Sequence, residues 1–288
     1  MSDFVNILHS EHTSVVFRIM FLSITFLYGI AIGSFLNVVI LRLPAGQSIL
    51  GIGRSDKEKE EASHCMTCGA KIRPIDLIPV FSWLMLRGKC HSCGSPISPR
   101  YPIVEALNGI LYVLTFWVLD INVKSIITCL LMSLLIVVAF MDWDTMEISE
   151  AIVALIFLLS VPLAVFTDDV PLKHRIIGAL CISVPFFIIG EVSRPIIRKK
   201  HGEDFRAIEL GDTILMFASG AVLGTQAIIV STFFGIIIAA IGGAIIKKIT
   251  NESKFAFGPF LSIGIAIGAL WGTKILDFYI NFCTQQQS

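Results

Sequence analysis

Apolar residues in this chain gather into long, nearly unbroken runs, and polar residues are swept into a few short stretches between them. Windows of about twenty apolar residues match the roughly 30 Å hydrocarbon thickness of a bilayer. The clearest lie at 17–41, 102–120, 123–141, 150–167, 174–192 and 257–280. The run 212–246 is too long for one crossing, and Gly220, Gly224 and Gln226 mark a tight turn that divides it into a seventh and an eighth span. The pattern predicts an all-α polytopic membrane protein of about eight transmembrane helices. It divides the chain into a first transmembrane helix (1–42), a polar loop (43–101) and a helical core (102–288).

Composition agrees with that class. Of 288 residues, 55% are hydrophobic and only 15% charged, too few to cover a soluble protein of this size. The polar first fifteen residues are not followed by a short apolar region with a small-residue cleavage site, so no removable signal peptide is expected. The formal net charge is zero, and no nucleic-acid partner is expected. Distribution says more than the sum. The loops 42–101, 193–211 and 247–256 hold nine, five and three of the 22 Lys and Arg residues. By the positive-inside rule these loops face the cytoplasm and both termini lie on the other side. The end of the 123–141 span and the start of the 212 span then share the cytoplasmic face.

The polar loop opens with a mixed-charge run, "DKEKEE" (56–61), expected to be a solvated, poorly ordered stretch. An internal repeat follows, "CMTCGAKI" (65–72) and "CHSCGSPI" (90–97). Cys65 and Cys68, with Cys90 and Cys93, present two thiolate pairs that can grip one tetrahedral Zn²⁺, each followed by a Gly that permits a tight knuckle. This is zinc-ribbon-like spacing, and four thiolates make the site structural. Redox-active dithiols or disulfides are the alternatives, which a reducing cytoplasmic loop disfavours. His64 and His91 read as exposed bystanders. Cys129, Cys181 and Cys283 read as small packing residues.

Two carboxylates interrupt the apolar runs. Asp142 directly follows the third run in "VVAFMDWDTMEIS", with Asp144 and Glu147 behind it. On a helix Asp142 and Asp144 point about 200° apart, and Asp142 is the one nearer the membrane. Asp212, after Gly211, opens the sixth run in "IELGDTILMFASG". Each has a plain alternative, a solvated helix end for Asp142 and an N-terminal cap for Asp212. Brought together, two such carboxylates share one proton, and one can deprotonate a water while the other protonates a carbonyl oxygen. In the first span, Gly29 and Gly33 have the spacing that lets two membrane helices approach closely.

The chain resembles the type IV prepilin peptidases, bifunctional leader peptidases and N-methyltransferases, over almost its whole length. The resemblance rests on "GSFLNVVILRLP" (33–44), the two Cys pairs, "PIDLIPVFSWLMLRGKCHSCGSPISPRYPIVEALNG" (74–109), "MDWDTMEISE" (141–150) and "LGD" (210–212). Asp142 and Asp212 fall on the family's two catalytic positions. The family's first carboxylate motif has Pro then Asp where this chain has Ser149 and Glu150. Its second reads Gly-x-Gly-Asp, with Glu209 here in the first Gly position, and its common Lys is Ile214.

The resemblance implies an aspartyl peptidase core in 102–288, at the cytoplasmic face of a bacterial inner membrane. It implies prepilin or pseudopilin substrates alongside membrane lipid. It also implies S-adenosylmethionine as methyl donor for N-methylation, associated with the 43–101 loop. No residue is assigned to the methyl donor. Arg87, Tyr101 and Glu105 are candidates for which a structural role is the simpler explanation. A peptidase without methylation, and a membrane transporter regulated by a zinc ribbon, remain the alternatives.

Overall fold

A computed structural model describes residues 13–47, 65, 67–167, 169–201, 208–250 and 255–285. The mixed-charge run 56–61 and His64 lie outside them. The described residues are almost entirely helical, and Lys89 forms an isolated antiparallel bridge with Pro96. The chain forms two compact units that meet between Ile121 and Asn122. The helix covering 102–120 thus belongs with the loop before it.

The first unit pairs α1 (Thr13–Arg42) with α3 (Arg100–Leu119), with the short α2 (Phe81–Met85) between them in sequence. Small residues set the pairing. A Cβ at Gly29 would lie 2.7 Å from Gly109 Cα, and one at Gly33 would lie 2.7 Å from Glu105 Cα. Backbones touch here because neither glycine carries a side chain to hold them apart. Contacts step four residues forward on α1 and four backward on α3, so the helices are antiparallel. The polar groups on this seam are satisfied across it. Asn108 Nδ2 donates to Gly29 O (2.7 Å) and Asn37 Nδ2 to Tyr101 O (3.1 Å). Towards the other end Phe116 meets Phe21 edge-on, and the Arg18 guanidinium lies 4.3 Å from the Trp117 ring centroid.

The second unit holds α4 (Val123–Thr145), α5 (Glu150–Leu158), α6 (Ser160–Phe166), α7 (Leu172–His201), α8 (Leu210–Thr250) and α9 (Gly258–Gln285). Asn122 and Ser125 cap α4 reciprocally, a capping box. The break between α5 and α6 lies four residues or fewer before Pro162, whose ring crowds the carbonyl one turn earlier and whose nitrogen has no hydrogen to give. Together α5 and α6 make one shorter apolar stretch. By length and composition six described helices can cross a membrane, against about eight expected. The difference lies in this stretch and in α8, which is recorded as one helix of 41 residues.

Gly224 interrupts α8 with φ 78° and ψ 176°, a conformation open to glycine and costly for other residues. The chain reverses there. Asp142 touches Gly258 and lies within electrostatic range of Asp212, while a Cβ at Gly243 would strike Phe255. A straight helix would put residues 212 and 243 about 46 Å apart, so the two arms must fold back on each other. A helix end leaves carbonyls without partners. Arg175, only 4% exposed, supplies them. Its Nη1 donates to Val222 O (2.7 Å) and Ala221 O (3.3 Å), its Nε donates to Val170 O (3.2 Å), and Thr225 Oγ1 donates to His174 O (2.9 Å). Arg175 is thus a buried cap and not a solvated cation.

Replacing Arg175 with Ala should lower stability by about 2–3 kcal/mol, because charged hydrogen bonds are lost and buried carbonyls are left bare. Arg175→Lys should recover only part of it, since one ammonium cannot replace both Nη1 at the 221–222 carbonyls and Nε at Val170 O. Thermal unfolding of the detergent-purified protein measures both. Equal melting temperatures for all three proteins would reject this account of the turn.

Candidate active site

Two side-chain constellations stand out, one in each unit. In the first, the repeat folds as two equivalent knuckles. Cys65 N donates to Ala70 O and Gly69 N to Cys65 O. The second copy repeats this with Cys90 N to Ser95 O and Gly94 N to Cys90 O, all at 2.8–2.9 Å. Gly69 and Gly94 close the turns at φ 69° and 71°. Trp83 Nε1 donates to Ile97 O (3.1 Å), tying the second knuckle to α2.

The four sulfurs of Cys65, Cys68, Cys90 and Cys93 lie within 4.8 Å of one another, with Cys65 and Cys93 at 3.9 Å. A tetrahedral zinc with ~2.3 Å bonds to sulfur needs sulfurs about 3.8 Å apart, so the donor set fits that metal. The thiols are also poised unequally. Backbone N–H groups of Cys68 and Thr67, then the Ser95 hydroxyl, pull Cys65 down to about 5. Ser95 likewise lowers Cys93. Cys68 is drawn down by the Ala70 N–H, but the neighbouring Cys93 and Cys65 sulfurs push it the other way, to about 11. Crowded thiolates resist the last ionisation, and a dication relieves that repulsion.

Beside the knuckles, Glu105 is buried in α3 and its Oε2 accepts the Val80 N–H at 2.7 Å. Val80 sits at φ 62°, ψ −53°, and Phe81 N donates to Pro79 O at 2.6 Å, which makes a γ-turn, a strained conformation for a β-branched residue. Glu105 is therefore a staple between the loop and the helix pair. Tyr101 offers its carbonyl to Asn37, and Arg87 takes φ 52° where the chain turns towards the second knuckle. These commitments are structural, and none of the three residues is assigned to a methyl donor.

In the second unit the end of α4, the start of α8 and the start of α9 converge. Asp142 lies in the last turn of α4, which Met146 closes in a left-handed conformation (φ 54°, ψ 30°). Asp142 is 5% exposed, whereas Asp144 and Glu147 point outward, as the helical angle requires. Gly258 N donates to Asp142 Oδ2 at 2.7 Å across 116 residues of sequence. Asp212, also 5% exposed, is in the first turn of α8, and its Oδ2 accepts the Glu209 N–H at 3.2 Å. That bond is cap-like, the carboxylate reaching back to the residue before the helix. Capping alone does not require burial, yet Asp212 is buried and lies within electrostatic range of both Asp142 and Glu209.

The places where the chain departs from the resemblance have local structural roles. Ser149 and Glu150 take the cap and first-turn positions of α5, which favour Ser and acids. Glu209 is exposed at the rim of the aspartate pair. Ile214 lines an apolar groove with Ser183, Val184, Phe187, Thr213 and Phe217. Sequence reasoning missed Gly258. The Gly-Pro pair at 258–259 signals a helix start, but no signal in the sequence connects it to Asp142.

Comparison with known proteins bears on both units. Residues 27–119 match the bacterial peptidase A24 N-terminal domain, and residues 129–244 match the type IV leader peptidase family. A prepilin leader peptidase/N-methyltransferase of Aeromonas salmonicida is 30% identical over 281 residues, covering 91% of this chain and 94% of that protein. Proteins with the same description from Bacillus subtilis (30% identical, covering 90% of this chain and 98% of that one) and Pseudomonas putida (29%, covering 88% and 92%) are similarly related. No solved structure matches the chain significantly. On this similarity, which runs through both units, the chain belongs to the type IV leader peptidase family, among the prepilin leader peptidases/N-methyltransferases.

Proposed function

We propose that this protein cleaves the leader from prepilins or pseudopilins with the Asp142–Asp212 pair and then methylates the new N-terminal amine. The observation that carries the peptidase half is the burial of two carboxylates within electrostatic range of each other, delivered by helices 70 residues apart in sequence. Such a pair holds one proton between its members. The ionised member takes a proton from a water, the water oxygen bonds to the scissile carbonyl carbon, and the protonated member gives its proton to the carbonyl oxygen. Collapse of that intermediate breaks the C–N bond, and the proton taken from water goes to the departing amine.

The setting suits a substrate that is part leader and part membrane helix. Within the second unit the aspartates lie at the end that also carries Lys247, Lys248 and the basic segment 193–201, the cytoplasmic end by the positive-inside rule. A bond at the junction of a cytoplasmic leader and an apolar segment would meet the pair at that depth. The protein is accordingly placed in the bacterial inner membrane. In the first unit Cys65, Cys68, Cys90 and Cys93 would hold one structural Zn²⁺, whose chemistry is to neutralise four thiolates and lock the two knuckles together. S-adenosylmethionine would supply the methyl group.

Product masses from a prepilin, incubated with and without S-adenosylmethionine, test both halves. Asp142→Asn and Asp212→Asn should each lower cleavage by at least about 10²–10⁴-fold, and the double variant should be no worse because the two act as one unit. Asp144→Asn should keep most activity. Methylation of a pre-cleaved substrate should survive all of these changes. Normal cleavage by Asp212→Asn would make Asp212 a helix cap and nothing more.

Elemental analysis should find about one zinc per chain, lost in a Cys65→Ser/Cys93→Ser variant. That variant should lose methylation before cleavage, since the aspartates are carried by the other unit. Four freely titratable thiols in a fully active protein would reject the metal.

A further inference from the structure

We propose that Gly258 is a positioning residue for the aspartate pair: its main-chain N–H pins the Asp142 carboxylate against the head of α9, in space that only a glycine leaves open. This deepens the peptidase reading and rests on it. Three observations meet at this point. The first is the 2.7 Å bond from Gly258 N to Asp142 Oδ2, in buried surroundings. The second is steric, because a Cβ at 258 would lie 2.7 Å from Oδ2 and 3.1 Å from both Cγ and Cβ of Asp142. The third is the helix itself. Gly258 opens a 28-residue helix, so its N–H is one of the first-turn donors with no partner inside the helix, and it sits at the positive end of the helix dipole.

The head of α9 is itself fixed. Phe257 O accepts from both Phe260 N and Leu261 N at 3.1 Å, and Leu261 is fully buried. Asp142 therefore reads its position from a rigid element. One oxygen is held by Gly258, and Oδ1 accepts no hydrogen bond from the described residues, which leaves it to meet a water or the substrate. Among the described residues Asp212 accepts only a bond local to the start of α8, from the Glu209 N–H. Catalytic groups misplaced by a fraction of an ångström lose most of their advantage. Any side chain at 258 must displace either the Asp142 carboxylate or the head of α9.

The test uses the full-length protein in detergent with a prepilin substrate. Gly258→Ala adds the clashing atom. A main-chain ester at 258, made by incorporating glycolic acid during cell-free translation, removes only the N–H. Gly243→Ala serves as a packing control, since its Cβ would meet the outer edge of the Phe255 ring, which can rotate away. Gly258→Ala and the ester should each lower kcat by about tenfold or more with KM within about twofold, the mark of a group that acts in the transition state. Gly243→Ala should keep kcat. Melting temperatures and the folded fraction by gel filtration report structural damage separately, and where Gly258→Ala does not fold, the ester decides.

If Asp142→Asn is inactive while the folded Gly258 variants keep normal kcat, the positioning role is wrong and the aspartate pair stands. If Asp142→Asn itself cleaves normally, the pair is wrong and the role of Gly258 falls with it.

Discussion

Hydrocarbon offers no hydrogen bonds, so a polar group that enters it must find its partner within the protein. The second unit turns on that constraint at Gly224. Breaking α8 there frees carbonyls that would otherwise cost several kcal/mol each, and Arg175 and Thr225 take up the polar groups of the turn. The satisfied turn sends the second arm back along the first. That return delivers the 255–258 segment to the end where Asp142 and Asp212 lie. Without the reversal, the aspartate at the start of α8 and the glycine at the start of α9 could not share a neighbour.

The same constraint governs the first unit by a different route. There the helices stay whole, and their seam is sealed by small residues and amide side chains. Asn108 and Asn37 each donate to a carbonyl on the facing helix. Close backbone approach at Gly29 and Gly33 brings Glu105 within reach of the loop, where it holds the Val80 turn. Glu105 ties the loop to the helix pair, and Trp83 ties the second knuckle to α2 within the loop. A metal bound by the four cysteines would lock a loop that is already tethered at its base.

Buried acids at a membrane edge are tolerated only with partners, and here each partner also serves the proposed chemistry. Asp142 is met by a helix N-terminus and Asp212 by the residue before its own helix. A backbone N–H can hold a carboxylate without neutralising it, as a Lys or Arg would. The two carboxylates are thus held in place in a way that would leave them the charge and proton the proposed acid–base chemistry needs. Exposed Glu209 adds a third carboxyl group near the two aspartates.

Local chemistry made much of this legible. Runs of apolar residues specify membrane helices because length and hydrophobicity act locally. The C-x-x-C-G repeat specifies a knuckle because the turn and its ligands lie within a few residues. Asp142 could be separated from Asp144 from helical angle alone, and Gly224 was marked as a turn by its freedom of backbone. Contacts between distant segments were decided only in three dimensions. That Arg175 is a cap and not a loop cation depends on carbonyls 46 and 47 residues away. That Gly258 touches Asp142 depends on a chain reversal and two helix ends converging. A hydrogen bond across 116 residues leaves no periodicity or spacing in the sequence, because nothing but the packed helices brings its two ends together.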